Sequence, residues 1–239
     1  SDTAILTNTE LGVKMGIASE YSKAKLAIVD PVLTYGLPKS LTGSTAMDAF
    51  AHGYEAFTGL MHNPVSDLYA EKTMRLVVDN LPLVMADPGN TEARDALMLA
   101  ATIGGMSFGD SMVHLGHNIG QNIGTLAHTP HGVSCMLGVL AAIEYLAPAV
   151  PEKTAFVGAL FGLDPLVARS HEALGRETAA RYKAFLVSCG LPATLRELGV
   201  QESVLEPAAK LIEEDFILQP CAPRKPDAAE ALALLKKIF

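Results

Sequence analysis

Seven histidines occur in the chain, and four of them, His114, His117, His128 and His131, fall close together. Imidazoles at that density are a reason to look for a divalent metal. A second grouping lies upstream, in Ala46-Met47-Asp48-Ala49-Phe50-Ala51-His52. Asp48 and His52 are four positions apart, which on a helix puts a carboxylate and an imidazole on one face, a turn apart. Their neighbours are apolar, so the face reads as buried, and a buried carboxylate needs a cation or a hydrogen-bonding partner. A metal ion would satisfy both groups. An Asp/His hydrogen bond inside a core would do so too, and the pair alone leaves both readings open.

The later segment shifts the balance towards a metal. In Phe108-Gly109-Asp110-Ser111-Met112-Val113-His114-Leu115-Gly116-His117-Asn118-Ile119-Gly120-Gln121, helical spacing puts His114, His117 and Gln121 on one face, and Pro130 sets His131 at a helix start. Ligands from two helices and from the start of a third can enclose a metal within a bundle. Three imidazoles with one carboxylate suit Fe(II) or Zn(II) and leave room for a substrate oxygen.

The elements that must position these groups are mostly helical. Thr3 to Thr7, Val13 to Ile17 and Leu26 to Val29 read as short strands, too few for a stable sheet of their own. From about Leu41 the spacing becomes helical, with breaks at Asn63-Pro64, Pro88-Gly89-Asn90, Thr129-Pro130, Pro151, Gly190-Leu191-Pro192 and Pro223 to Pro226. Leu205, Ala208, Leu211 and Ile212 mark one apolar face, with Glu206, Glu213 and Glu214 solvated. Asp227 and Glu230 form a capping box ahead of a closing helix. The fold class expected is mainly α, with residues 1–34 a β fragment and residues 35–239 an all-helical metal-binding domain. The chain is already strand-like at Ala4-Ile5-Leu6, so upstream sequence is expected.

With 49% hydrophobic residues there is ample material for a core. A net charge of -8 argues against a nucleic-acid partner. The apolar run from Met136 to Val150 is interrupted by Glu144 and Pro148 and is too short for a bilayer, so no membrane role is expected. Three cysteines without CxxC spacing give neither a disulfide framework nor a zinc knuckle, and a reducing cytoplasm is the default location.

The stretch IVDP, LP, LTGSTAMDAFAHGYEAFTG and HNPVSD between Ile28 and Asp67, followed by GGMSFGDSMVHLGHNIGQNIGTLAHTPHG, resembles the iron-containing alcohol dehydrogenase family. His117 and His131 have the family's spacing between its last two ligand histidines. The resemblance covers nearly the whole chain, more weakly after about residue 150. It implies the dehydroquinate synthase-like architecture, an N-terminal α/β domain that binds NAD or NADP joined to a helical metal-binding domain, and a homo-oligomer such as a dimer. Carried over, the metal ligands fall on Asp48, His52, His117 and His131, leaving His114 and His128 in supporting roles. Lys14 matches a lysine at the cofactor ribose, Leu41 a residue near the nicotinamide, and Phe108 a position lining the substrate pocket. The sequence begins just after the place where the family's GTGSE phosphate-binding segment would end. Gln121 departs from the pattern, since many members have a second histidine there to assist proton transfer, and glutamine does not titrate.

The function implied is hydride transfer between NAD(P) and a small alcohol or aldehyde, with the metal polarising the substrate oxygen. A zinc-dependent, glycerol-dehydrogenase-like enzyme and a catalytically incomplete helical metal-binding module are the alternatives. A helical phosphohydrolase is disfavoured, because such enzymes carry an adjacent His-Asp pair and no HD dipeptide occurs.

Overall fold

The structure is a computed structural model and describes residues 3–8, 13–164 and 168–239. Two strands, β1 (Thr3–Asn8) and β2 (Val13–Ala18), pair antiparallel with Ile5 opposite Gly16. The third expected strand, Leu26 to Val29, does not form. Its composition is strand-like, but no described strand lies beside it to take up its backbone groups, and Leu26 and Ile28 are largely exposed.

Among the described residues, everything after residue 38 is helix and connection. The helices are α1 (Lys39–Thr58), α2 (Pro64–Ala86), α3 (Thr91–Ser111), α4 (Leu115–Ala127), α5 (His131–Leu146), α6 (Pro151–Leu160), α7 (His171–Ser188), α8 (Leu205–Glu214) and α9 (Ala228–Lys237). Local chemistry accounts for their starts. Asn63 accepts hydrogen bonds from the Val65 and Ser66 amides, Ser66 Oγ accepts from the Asn63 amide, and Pro64 takes the first helical position of α2. Asn90 caps α3 and Ser170 caps α7 in the same way. The capping box expected at Asp227 and Glu230 is present at α9.

Helix α5 is buried along most of its length and forms the centre, packed by α1, α4 and α7, with its one acid, Glu144, paired to Lys237. Phe50, Phe161 and Tyr182 cluster beside it, and the Tyr182 hydroxyl donates to the Met136 carbonyl. Arg94 of α3, only 2% exposed, donates to the carbonyls of Pro88, Thr34 and Leu37 and to Thr42 Oγ1. It thereby ties the segment leading into α1 to the helical body.

Helix α3 stops at Met112, whose φ of 62° and ψ of 169° lie where glycine is the usual occupant. The chain resumes as α4, bent by 107° from α3. Among the described residues no single helix is long and apolar enough to cross a membrane.

Candidate metal centre

Helix α1 presents Asp48, His52 and Glu55 on one face, because positions four and seven apart return to the same side. Glu55 is fully buried and its carboxylate faces the start of α4. The backbone amide of His114 donates to Glu55 Oε1 at 2.8 Å, and the amide of His117 donates to both oxygens at 3.1 and 3.2 Å. His117 Nδ1 makes a very short contact with Glu55 Oε2. Helix starts leave their first amides unpaired and carry partial positive charge, so a buried carboxylate is well placed there. Burial alone would raise the Glu55 pKa, but the charge and hydrogen bonds of His117, with His114 behind them, hold it well below the usual carboxylate range.

The consequence falls on the other side of the imidazole. With Nδ1 tied to Glu55, His117 Nε2 points at Asp48 Oδ1, 3.7 Å away, and neither buried atom has a hydrogen-bond partner. His131, the first residue of α5, brings its Nε2 to 3.8 Å from the same oxygen. Gly132 allows this approach, since a Cβ there would lie 2.4 Å from the Ser44 carbonyl oxygen of α1. Separations of 3.7 and 3.8 Å are too long for hydrogen bonds but near the ~3.4 Å edge of a tetrahedron with ~2.1 Å metal bonds. Ligating atoms of Asp48, His117, His131 and Cys135 all lie within 4.8 Å of one another. Two orphaned buried atoms and a carboxylate-imidazole donor set thus fit a divalent metal.

The other residues singled out from the sequence are distributed around this cluster. His52 lies flat between Phe108 and His117, with ring centroids 4.4 and 4.8 Å apart. Its nitrogens fall outside the four-donor group. Burial, with the His117 charge adding to it, pushes the His52 imidazole down to about 4, so the ring is neutral at pH 7 and keeps a free lone pair. Gln121 is one turn beyond His117 and partly exposed. Leu41 is 45% exposed and sits about 10 Å before Asp48 along α1. Lys14 belongs to β2, and its side chain lies outside the described residues.

One expectation is corrected. His114 does not share a helical face with His117 and Gln121: it precedes α4, its Nδ1 accepts from the Leu115 amide, and its Nε2 meets Thr58 Oγ1 at 3.0 Å. The turn at Met112 and Val113 directs the ring away from the cluster. His128 ends α4 in the left-handed region and is exposed. Reading the sequence missed Glu55 and Cys135, although each lies at helical spacing from a suspected ligand, Glu55 seven after Asp48 and Cys135 four after His131.

Residues 42–239 match the C-terminal part of the Fe-containing alcohol dehydrogenase family. The 1,3-propanediol dehydrogenase of Klebsiella pneumoniae is 32% identical over 235 residues, covering 98% of this chain and 60% of that protein. The NAD-dependent methanol dehydrogenase of Bacillus methanolicus is 29% identical over 216 residues, covering 90% of this chain and 56% of that protein. The crystal structure of a 1,3-propanediol oxidoreductase superposes with a TM-score of 0.92 at 31% identity, over all of this chain and 62% of its own length. An alcohol dehydrogenase from Oenococcus oeni superposes with a TM-score of 0.93 at 25% identity, again over all of this chain and 62% of its own length. The chain therefore spans about 60% of the 1,3-propanediol dehydrogenase it matches, and it belongs to the iron-containing alcohol dehydrogenase family.

Proposed function

We propose that the chain forms the metal-binding part of an NAD(P)-dependent alcohol dehydrogenase or aldehyde reductase acting on a small alcohol or aldehyde. The observation that carries this reading is the pair of buried, unpartnered atoms, Asp48 Oδ1 and His117 Nε2, facing each other beside His131. Asp48, His117 and His131 would hold the metal, with His52 the further ligand that the family resemblance gives. When bound, a divalent metal supplies a Lewis acid for the alcohol or carbonyl oxygen, and a nicotinamide cofactor supplies or takes the hydride.

The chain's own residues do the rest. Glu55 fixes the His117 tautomer, Phe108 stacks on the His52 ring and steadies it, and Gln121 orients a water or substrate hydroxyl without exchanging a proton. Leu41 and Lys14 are the positions proposed to meet the cofactor. The acidic composition and unpaired thiols accord with a reducing cytoplasm, and a homo-oligomer is part of the same proposal.

Titrating the metal-free chain with Zn(II) or Fe(II) is expected to give about one equivalent bound, and His117→Ala or His131→Ala to remove most of it. Full occupancy in both variants would sink the assignment. Iron against zinc, and simple alcohol against polyol, separate on metal content and substrate profile of the active enzyme.

Gln121 tests the proton path. In the active enzyme Gln121→Ala should keep its metal and lose turnover modestly, while Gln121→His should add a titrating step near ~6.5 to the pH-rate profile. An unaltered profile in the histidine variant would mean that no proton passes this position.

A further inference from the structure

A guanidinium offers five N–H donors, and Arg94 uses four of them on the carbonyls of Pro88, Thr34 and Leu37 and on Thr42 Oγ1. Nη2 makes the Leu37 bond alone, so one donor is left over. The charge is unmatched as well. No ion pair joins Arg94 to a carboxylate among the described residues, and the adjacent Asp95 is exposed and accepts from the Tyr35 hydroxyl. A cation only 2% exposed among neutral dipoles is unfavourable to bury, and an anion beside it would offset part of its desolvation.

The same residues wall a cavity of about 220 Å³ between α1 and α3. Three of the residues that Arg94 holds line it together with the arginine, so the guanidinium stands at its base, and Leu97 and Met98 give it an apolar side. Its mouth is beside Thr45 and Ala101, the exposed residues of the lining. Thr42 Oγ1 accepts from Arg94 and can turn its own proton into the same space. An apolar cavity of ~150 Å³ holds benzene, so this one suits an anion with a short apolar tail and is too small for a dinucleotide. None of Asp48, His52, His117 and His131 lines it.

We propose that this cavity binds a short-chain monocarboxylate of about three to five carbons, with its oxygens on Arg94 Nη2 and the Thr42 hydroxyl and its tail against Leu97 and Met98. The site is separate from the metal centre and needs no metal. Because Arg94 already joins the segment before α1 to α3, a carboxylate bound there would brace that joint further.

The test adds sodium butyrate to the metal-free chain, with butyramide and sodium chloride as matched controls, and follows both binding heat and the urea midpoint. Butyrate should raise the midpoint saturably, with half the effect at about 1 mM. Butyramide, which has the same shape and no charge, should bind at least about tenfold more weakly, and chloride should give no saturable shift. Ala101→Phe, at the exposed mouth, leaves the guanidinium untouched and should weaken butyrate at least about tenfold. Arg94→Lys keeps the charge without the fork and should weaken it by a similar factor, whereas His117→Ala should bind butyrate as the unaltered chain does. Equal binding of butyrate and butyramide would show an apolar cavity with no anion site and overturn the proposal. So would the absence of a saturable effect, butyrate binding untouched by Ala101→Phe, or its loss in His117→Ala, which would place the anion at the metal centre. The amide comparison and the Ala101 variant decide the matter even if Arg94→Lys does not fold.

Discussion

Glu55→Gln is expected to cost the chain its metal before it costs the fold. The carboxylate accepts from two backbone amides and from the His117 ring, all within a fully buried space. Glutamine keeps the shape and one acceptor oxygen, but its amide group must then face His117. An N–H donor opposite Nδ1 drives the imidazole proton to Nε2, the nitrogen turned towards Asp48 and His131. Metal affinity should therefore fall about 10–100-fold, as it does when the partner orienting a ligand histidine is lost. Glu55→Ala removes the acceptor altogether and strands the donors, so roughly 3–5 kcal/mol of stability should go as well. Metal titration and urea unfolding of the two variants check this. Unaltered Zn(II) affinity in the glutamine variant would show that Glu55 does not set the tautomer.

Arg94→Ala should be the most destabilising change away from the metal centre. The guanidinium is buried, and its partners are three backbone carbonyls and a hydroxyl at 2.7 to 3.3 Å. Charge-assisted hydrogen bonds of this kind are the strong ones, and removing the donor leaves several acceptors desolvated at once. About 3–5 kcal/mol is expected; Arg94→Lys should lose less, because it keeps the charge and a donor, but not recover fully, because one ammonium cannot reach carbonyls on both the 34–37 segment and Pro88. An alanine variant within about 1 kcal/mol of the unaltered chain in denaturant would mean that the segment before α1 is held by something else.

Features encoded locally were legible in the sequence, and features made by tertiary approach were not. The capping box at Asp227 and the break at Asn63-Pro64 are local, and both appear where their residues predict. Asp48 and His52 share a face of α1 because their spacing alone decides it. His114 was placed on the wrong face because helical spacing was extended back through it, whereas the positive φ at Met112 interrupts the helix first. Leu26 to Val29 has strand composition, but strand formation depends on a neighbour that composition does not specify. Glu55 and Cys135 stayed hidden for a related reason. A glutamate and a cysteine in apolar helices become significant only once α4 is laid against α1 and α5, and close approach at glycines such as Gly132 is a property of the pair of helices rather than of either one.

The grip of Arg94 also says how this part of the sequence is free to drift. Three of its four partners are main-chain oxygens, at Thr34, Leu37 and Pro88, and every amino acid carries one. Side chains at those positions can change while the backbone path is kept, and the guanidinium would register no difference. The arginine has no such latitude, since no other side chain offers a planar fork of five donors. Across divergent descendants of this chain, position 94 should stay fixed while the residues it holds vary, the reverse of an ion pair, in which both partners must change together.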